Sequence, residues 1–361
     1  MRDGGNRDFS VVDAGGLAAA YAVMGEEEAA EVAAALFGLS GRPSRLATEK
    51  DDTFRIDAEG GRRYILKVAN PTEAPAELEL QVLLLRHIAR QDPEIPVPRL
   101  IPDARGRACP AFTDRAGQTR RVRLMTFLEG AVLDATETSP AERERIGEVL
   151  ARLRLATASF AHPAENRVLA WDVKHLAGLH PLLEAVESPL RKSLLTEGME
   201  RFRALSGRIA ALRTQVLHND FSRSNLVVDH ARPEFVTGII DFGDAVRTAV
   251  AIDVSTALLN QLPRDAAQHP AGDLFAAGRD LLRGYLRVAG LTEEELRLIP
   301  HLVMGRAVAR ALLSLWRARR FPGNAAYILR NTEQGWAQLE WLLARTPEAL
   351  SELLLSEGSS S

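Results

Sequence analysis

One stretch, residues 216–244, constrains the fold more than any other part of the sequence. It reads Val-Leu-His-Asn-Asp-Phe-Ser-Arg-Ser-Asn-Leu-Val-Val-Asp and, after a short turn, Gly-Ile-Ile-Asp-Phe-Gly-Asp. The apolar runs predict two short strands, and the polar residues lie in the loops beside them. The stretch therefore predicts a compact strand-and-loop unit that carries His218, Asp220, Asn225 and Asp241.

The spacing of these residues is typical of phosphoryl transfer to a hydroxyl group. Asp220 is predicted to orient the acceptor hydroxyl and to take its proton. Asn225 and Asp241 offer an amide oxygen and a carboxylate, the hard ligands that suit Mg²⁺. His218 is expected to support the loop backbone rather than to transfer protons. Each residue alone has an ordinary structural explanation, but their order and the flanking strands favour the catalytic one.

Upstream of this stretch, helical periodicity gives way to extended segments. A helix is predicted over Glu26–Leu39, followed by strands over Ser44–Ala47, Thr53–Asp57 and Arg63–Val68. A Gly-Gly turn joins the last two strands as a hairpin. Lys67 lies in the otherwise apolar third strand, where a lysine must be exposed, paired or directed at a ligand.

In a phosphotransfer site, Lys67 would contact the α- and β-phosphates of a nucleotide, and a glutamate of the next helix would hold it. That helix is predicted over Ala74–Arg90 and contains Glu77 and Glu79. We predict that Glu79 holds Lys67, although either glutamate could instead lie on a solvated helix face.

The last strand of the β-rich region ends in glycine and leads into helices, so a hinge is predicted over residues 125–130. Backbone groups of roughly Met125 to Leu128, Met125 and Phe127 among them, are the predicted contacts for a purine, although an ordinary edge strand would look much the same. The predicted domains are a β-rich nucleotide-binding lobe over residues 1–124 and a helical lobe over residues 131–361 that binds the acceptor. An α+β fold with two lobes follows.

The second half of the chain is predicted to be mainly helical. Ser139, Pro140 and Glu142 form a capping box that starts one helix. The first 24 residues are expected to form an irregular arm. The remaining helices and a polar tail are predicted over residues 198–213, Leu274–Val288, Glu293–Trp316, Thr332–Leu343 and Glu357–Ser361.

Composition excludes several classes of protein. A chain of 361 residues with 46% hydrophobic residues can bury more than one compact core. The net charge of −3 shows no basic surface for nucleic acid or an anionic membrane, so neither is a predicted partner. Cys109 is the single cysteine, which excludes an intramolecular disulfide and fits a reducing compartment. The N-terminus lacks a signal pattern and no apolar run reaches about 18 residues, so a cytoplasmic enzyme is expected.

These motifs together resemble the aminoglycoside phosphotransferase-like family of the protein kinase-like superfamily, and they are most similar to the hydroxylysine kinases within it. The resemblance runs from about residue 48 to residue 257 and includes Asp-Asp-Thr-Phe, Tyr-Ile-Leu-Lys-Val, Leu-Glu-Leu-Gln, Trp-Asp and Ile-Ile-Asp-Phe-Gly-Asp. It implies a nucleotide bound between two lobes and, as donor, GTP or ATP. It also implies that Asp253 is a buried aspartate that braces the catalytic loop.

The chain departs from protein kinases in three ways. Asp51-Asp52-Thr53 occupies the place of a glycine-rich loop, so the sequence leaves the phosphate contacts of that loop open. Ser222 stands two residues after Asp220, where protein kinases carry lysine. Only eleven residues separate Asp241 from Asp253, too few for a segment that docks a peptide. A small-molecule acceptor is therefore predicted.

The balance of charged residues in the helical lobe narrows the chemical class of the acceptor further. Residues 131–361 contain 27 Lys and Arg against 28 Asp and Glu, a balance that suits a zwitterion better than a polycationic antibiotic. Asp172 and Asp244 are candidates for the acceptor's ammonium group. Arg306 and Arg310, one helical turn apart, are candidates for its carboxylate, although they could lie on a solvated helix face.

The resulting hypothesis is a magnesium-dependent kinase that phosphorylates a hydroxy amino acid or amino alcohol, with hydroxylysine as first choice. An aminoglycoside phosphotransferase is the alternative within the same enzyme class. A nucleotide-binding pseudokinase scaffold is the alternative of another class, although it would normally lack one of Lys67, Asp220, Asn225 and Asp241. The sequence predicts no oligomeric state.

Overall fold

The computed structural model describes residues 21–48, 51–329 and 332–355. They form an α+β fold in which a β-rich lobe precedes a helical one, so the predicted fold class is confirmed. Most of the predicted N-terminal arm, the Glu49-Lys50 part of a predicted turn and the predicted polar tail lie outside the described residues.

The secondary structure elements follow the chain in this order. The strands are β1 (Gly41–Leu46), β2 (Asp52–Ala58), β3 (Arg63–Val68), β4 (Leu100–Ile101), β5 (Ala111–Thr113), β6 (Thr119–Thr126), β7 (Ala131–Val132), β8 (Thr214–Leu217), β9 (Leu226–Val228), β10 (Val236–Ile239) and β11 (Val246–Ala249). The α-helices are α1 (Glu26–Phe37), α2 (Pro75–Gln91), α3 (Pro140–Thr157), α4 (Pro189–Ala204), α5 (Ser206–Ala210), α6 (Val250–Leu259), α7 (Ala276–Val288), α8 (Glu293–Arg320), α9 (Ala325–Leu329), α10 (Thr332–Leu343) and α11 (Pro347–Glu352). A 3₁₀ segment spans Val173–Ala185.

The first lobe is built on one antiparallel sheet of six strands. Its order is β1-β2-β3-β6-β4, and β5 also pairs with β6. Gly60 and Gly61 both have a φ of 73° in the turn between β2 and β3, a conformation that favours glycine, so the predicted hairpin is confirmed. Phe54, Leu66 and Leu124 belong to a separate apolar core that the sheet shares with α1.

The chain crosses between the lobes at residues 127–130. Strand β6 ends before this segment, and β7 after it joins β9 and β10 in a sheet of the second lobe. Gly130 has a φ of 139°, and a Cβ atom there would lie 2.5 Å from the carbonyl oxygen of Val228. Only glycine fits this crossing without a shift of the backbone. The crossing lies within residues 125–130, the segment predicted as a hinge. Residues 125 and 126 of that segment still belong to β6.

Helix α8 is the central element of the second lobe. It is 28 residues long, begins with a capping box formed by Thr292 and Glu295, and packs against α6 and the 3₁₀ segment. By length and composition it could cross a membrane, although no apolar run of that length was predicted. Of its apolar window, 89% is buried inside the fold. Packing within the protein therefore accounts for its apolar surface.

Helix boundaries were predicted with mixed accuracy at both ends. The capping box at Ser139 is present, since Ser139 and Glu142 bond to each other's backbone N–H groups. The single helix predicted over residues 198–213 is wrong: two helices, α4 and α5, are present. The first begins earlier because Ser188 caps it. Helix α8 continues past the predicted end because basic side chains in its last turn favour the helix C-terminus.

Two glycines allow helices α3 and α7 to cross at close range. A Cβ atom on Gly284 would lie 1.9 Å from the carbonyl oxygen of Glu144, and one on Gly147 would lie 1.9 Å from that of Leu281. Because the obstructing atoms belong to backbone, no side-chain rotation can relieve either contact.

We predict that Gly284→Ala lowers the free energy of unfolding by about 2–3 kcal/mol, because the two helices must separate to admit a methyl group. Urea denaturation measures the loss. Gly207→Ala is the control, since Gly207 is also helical but a Cβ atom on it would have no neighbouring atom within 4 Å. A Gly284→Ala protein as stable as the wild type would contradict the close crossing.

Candidate active site

The loop over residues 218–225 depends on a backbone turn at Asn219. This residue has a φ of 62°, which is uncommon for a residue other than glycine. Its N–H donates to Oδ1 of Asp253 at 2.7 Å. Asp253 is buried on α6, and burial raises the pKa of its carboxyl to about 6. A buried carboxylate thus holds the backbone one residue before Asp220.

His218 connects this loop to the strand that precedes Asp241. Its Nδ1 accepts from the N–H of Asp220 at 3.3 Å, and its Nε2 lies 3.0 Å from the carbonyl oxygen of Ile240. An imidazole with these partners carries its proton on Nε2 and donates it to the carbonyl. Since both ring nitrogens are engaged with backbone, His218 has the contacts of a supporting residue.

The Asp220 carboxylate is one-third exposed and faces the cleft between the lobes. Its Oδ2 accepts from Nδ2 of Asn225 at 2.7 Å, and its Oδ1 lies 3.5 Å from Nη2 of Arg306. Burial raises the pKa of this carboxyl to about 7; Arg306 opposes the shift, and the charges of Asp244 and Asp241 add to it. A carboxylate of this proton affinity suits a general base.

Asn225 and Asp241 provide the oxygen atoms that were predicted to bind a metal. The amide nitrogen of Asn225 is bound to Asp220, which leaves its Oδ1 for another partner. The Asp241 side chain is 51% exposed. One amide oxygen and one carboxylate fit Mg²⁺ whose other ligands are phosphate oxygens and water. The described residues contain no cluster of three His, Cys, Asp or Glu that could hold a metal by themselves.

Lys67 spans the two lobes. Its Nζ lies 3.1 Å from Oδ1 of Asp241 and 3.4 Å from Oδ2 of Asp51. Burial disfavours the charged ammonium, but the two carboxylates outweigh it and raise the pKa of Lys67. The positive charge of Lys67 in turn holds the pKa of Asp241 well below its usual range.

The predicted pairing of Lys67 with Glu79 is wrong in this structure. The Glu79 side chain is 65% exposed, and its ion-pair partner among the described residues is His162, at 3.9 Å. The alternative, Glu77, binds Arg167 at 2.8 Å instead. Both glutamates therefore lie on parts of α2 that do not face Lys67.

Two of the predicted purine contacts, Met125 and Phe127, direct their backbone groups toward β3. Met125 is buried in β6 opposite Ile65, and the N–H of Phe127 donates to the carbonyl oxygen of Arg63 at 3.3 Å. Because alternate peptide groups of an extended chain point to opposite sides, Thr126 and Leu128 point away from β3.

Two backbone groups remain for a purine on that other side. The N–H of Leu128 forms no hydrogen bond within the described part of the chain, whereas that of Thr126 donates to Arg99. Within the predicted range, the carbonyl oxygen of Thr126 and the N–H of Leu128 are therefore the backbone groups that point away from β3 and could meet a purine. Only strand pairing, which the sequence does not reveal, distinguishes the two sets.

Asp172 does not offer a free carboxylate to a substrate. It is fully buried, its Oδ2 lies 2.9 Å from Nζ of Lys174, and its Oδ1 accepts from Oγ1 of Thr248 at 3.1 Å. The prediction that it binds an ammonium group is therefore wrong. Asp244 is half-buried and follows Asp241 in a 3₁₀ turn, close enough for its charge to affect Asp220.

Arg306 lies at the cleft rather than on a solvated helix face. Its side chain is 6% exposed and its guanidinium is 5.8 Å from the ring of Trp171. Nη2 reaches the carbonyl oxygen of Asn219 at 3.3 Å, while Nη1 is buried without a hydrogen-bond partner. Arg306 of α8 thus supplies a positive charge beside Asp220. Protein kinases carry a lysine two residues after the equivalent aspartate, but this chain has the uncharged Ser222 there.

Comparison with known proteins finds a family match over the part of the chain that contains Lys67, Asp220 and Asp241. A profile described as the phosphotransferase enzyme family matches residues 45–291. Hydroxylysine kinase of Mus musculus is 22% identical over 362 residues, covering 93% of this chain and 94% of the relative. Homoserine kinase of Methylobacillus glycogenes is 29% identical over 251 residues, covering 69% of this chain and 72% of the relative.

Solved structures share the fold. A microcompartment-associated aminopropanol kinase superposes with a TM-score of 0.70 and 21% identity, covering 89% of this chain and 99% of that one. The amicoumacin kinase hAmiN, in complex with AMP-PNP, Ca²⁺ and Ami, has a TM-score of 0.64 and 18% identity, covering 87% of this chain and 94% of that one.

The position of Asp220 predicts that Asp220→Asn lowers kcat by about 10³-fold, since the amide cannot accept the hydroxyl proton. Nucleotide affinity, measured by calorimetry, should change by less than about threefold because Asp220 does not contact the donor. The exposed Asp265 provides the control variant Asp265→Asn, which should retain full activity. A fully active Asp220→Asn protein would remove the base from the mechanism.

Proposed function

The chain belongs to the phosphotransferase enzyme family and is a small-molecule kinase; we propose that it transfers the γ-phosphate of ATP or GTP to the hydroxyl of a hydroxy amino acid. Hydroxylysine is the first choice and an amino alcohol the next. The observation that carries this proposal is the pair of arginines on α8, of which Arg306 is buried beside Asp220 and Arg310 is half-buried one turn further along.

Each part of the reaction has a residue in the cleft. Asp220 orients the acceptor hydroxyl and accepts its proton as the oxygen attacks phosphorus. Lys67 binds the α- and β-phosphates. Asn225 and Asp241 would hold Mg²⁺, which, when bound, neutralises charge on the phosphate oxygens. The backbone at Thr126 and Leu128 receives the base of the nucleotide.

The arginines form a site for an anion. Nη1 of Arg306 is buried and forms no hydrogen bond within the described residues. Arg310, one turn further along α8, donates to the neutral amide of Gln338 at 2.9 Å, and no acidic residue of the described chain forms an ion pair with it. Burial and the charge of Arg306 lower the pKa of Arg310 to about 10. Two adjacent cations that lack a full counter-charge attract a carboxylate.

The relatives support an acceptor of this kind. Hydroxylysine and homoserine, the substrates in the names of the two relatives, are both amino acids with a side-chain hydroxyl. Their carboxylate would bind Arg306 and Arg310 while the hydroxyl faces Asp220. Asp244, which is close enough for its charge to raise the pKa of Asp220, is the proposed partner for the ammonium group.

The other two functions have less support. A polycationic aminoglycoside would meet the arginines as like charges, which disfavours it. A pseudokinase would need a defective centre, whereas Lys67, Asp220, Asn225 and Asp241 are all present in one cleft. Small-molecule phosphorylation therefore remains the proposal, with a cytoplasmic location as a prediction.

A nucleotide-consumption screen tests the proposal. Purified protein is offered hydroxy amino acids, amino alcohols and aminoglycosides, with ATP and GTP in separate reactions and with or without Mg²⁺. Turnover of hydroxylysine or homoserine is expected. Activity confined to kanamycin-type acceptors would overturn the assignment, and dependence on one nucleotide would identify the donor.

Arg310→Met provides a sharper prediction about the carboxylate. It should raise KM for a hydroxy amino acid by about 10- to 100-fold, since a charged hydrogen bond is lost, with little change in kcat. The corresponding amino alcohol, which lacks the carboxylate, should be unaffected. The control is Arg319→Met on the same helix, because Arg319 is exposed and paired with Glu187. Equal effects on both acceptors would contradict the anion site.

A further inference from the structure

Lys67 needs a partner that remains in place when Asp241 binds a metal. We propose that Asp51, held by the N–H of Asn70 and by Arg123, is the residue that positions Lys67 for the nucleotide phosphates. It takes the role for which the sequence predicted Glu79. This proposal concerns the donor half of the reaction and holds for any acceptor.

The two carboxylates beside Lys67 differ in exposure. The Asp241 side chain is 51% exposed at the cleft, where metal and phosphate would engage it, whereas the Asp51 side chain is 7% exposed. A buried carboxylate with no other task can hold the ammonium while the outer one changes partners. Asp51 precedes β2, in the connection where a glycine-rich loop would lie.

The Asp51 carboxylate is fixed from two sides. Its Oδ1 accepts from the backbone N–H of Asn70, just beyond β3, at 3.2 Å. Its Oδ2 faces both cations, with Nζ of Lys67 at 3.4 Å and Nη2 of Arg123 at 3.7 Å. This geometry orients one oxygen atom toward Lys67 without help from α2.

Arg123 links this pair to α2. It stands opposite Lys67 in the register of β3 and β6, and it is 3% exposed. Its Nη1 donates to Oε1 of Gln81 at 2.6 Å, and Gln81 is the buried polar residue of α2 at this point. The helix therefore presents a neutral amide to Arg123, and the negative charge beside Lys67 and Arg123 comes from the β1–β2 connection.

Charge balance explains why the carboxylate must lie there. Lys67 and Arg123 are neighbouring cations, and the positive charge of Arg123 opposes the rise in the pKa of Lys67. A glutamine on α2 cannot neutralise them, whereas Asp51 contacts both. Removal of its charge would drive the two cations apart and displace the lysine from the phosphates.

The test compares Asp51→Asn with Glu79→Gln by calorimetric titration of the full-length protein, without acceptor. For whichever of ADP or GDP binds the wild type, Asp51→Asn should weaken affinity by on the order of 10- to 100-fold. Affinity for the matching nucleoside should not change, because Lys67 contacts phosphates only. Glu79→Gln should match the wild type in both titrations.

A double-mutant cycle separates positioning from general stability. In a Lys67→Met background, Asp51→Asn should cause no further loss of nucleotide affinity, because Asp51 acts through Lys67. Should Asp51→Asn not fold, Asp51→Glu keeps the charge but moves it by one methylene, and about a tenfold loss for the diphosphate alone is expected. Equal losses for nucleoside and diphosphate, additive effects in the cycle, or a larger loss in Glu79→Gln would each overturn the proposal.

These outcomes are independent of the acceptor. If no hydroxy amino acid is phosphorylated but the diphosphate titrations follow the expected pattern, the role of Asp51 stands and the acceptor assignment fails. The reverse result would leave the acceptor assignment intact.

Discussion

The hydrogen bond between the buried carboxylate of Asp253 and the N–H of Asn219 is the contact on which the proposed centre depends. It compensates a left-handed backbone turn that a residue other than glycine seldom adopts. The turn places Asp220 beside Asn225, and His218 then ties the same loop to the strand that carries Asp241. A single buried acceptor thus sets the relative positions of the proposed base and both proposed metal ligands, which explains why a carboxylate is retained inside an apolar helix.

Ion pairs in the cleft join secondary structure elements that are far apart in sequence. Lys67 from the first lobe meets Asp241 from the second, and Arg306 from α8 meets Asp220. In each contact a cation faces a carboxylate to which the proposed reaction assigns a role, so the same charges would serve the fold and the reaction. The arginines of α8 extend this pattern beyond Asp220, where the described residues supply no carboxylate for Arg310 and the acceptor would provide one.

The sequence predicted correctly those structural features that are encoded within a few consecutive residues. The capping box at Ser139, the Gly-Gly hairpin and the loop that ends at Asn225 each lie within a few consecutive residues, and each was placed correctly. Glu79 was assigned to Lys67 because a kinase-type pattern leads one to expect a glutamate there. The orientation of α2 decided otherwise, and a sequence specifies helix rotation only through the burial of its apolar residues.

By itself, the sequence determined the fold class, the family and the order of the residues that the phosphotransfer chemistry requires, because motif spacing, caps and turns are properties of contiguous chain. The tertiary structure alone decided which side chains meet. It paired Asp172 with Lys174 and Thr248, brought Arg306 to Asp220, and set Asp51 against Lys67. Such pairs depend on strand register and helix packing, and these in turn depend on the burial of many residues at once, which no single motif encodes.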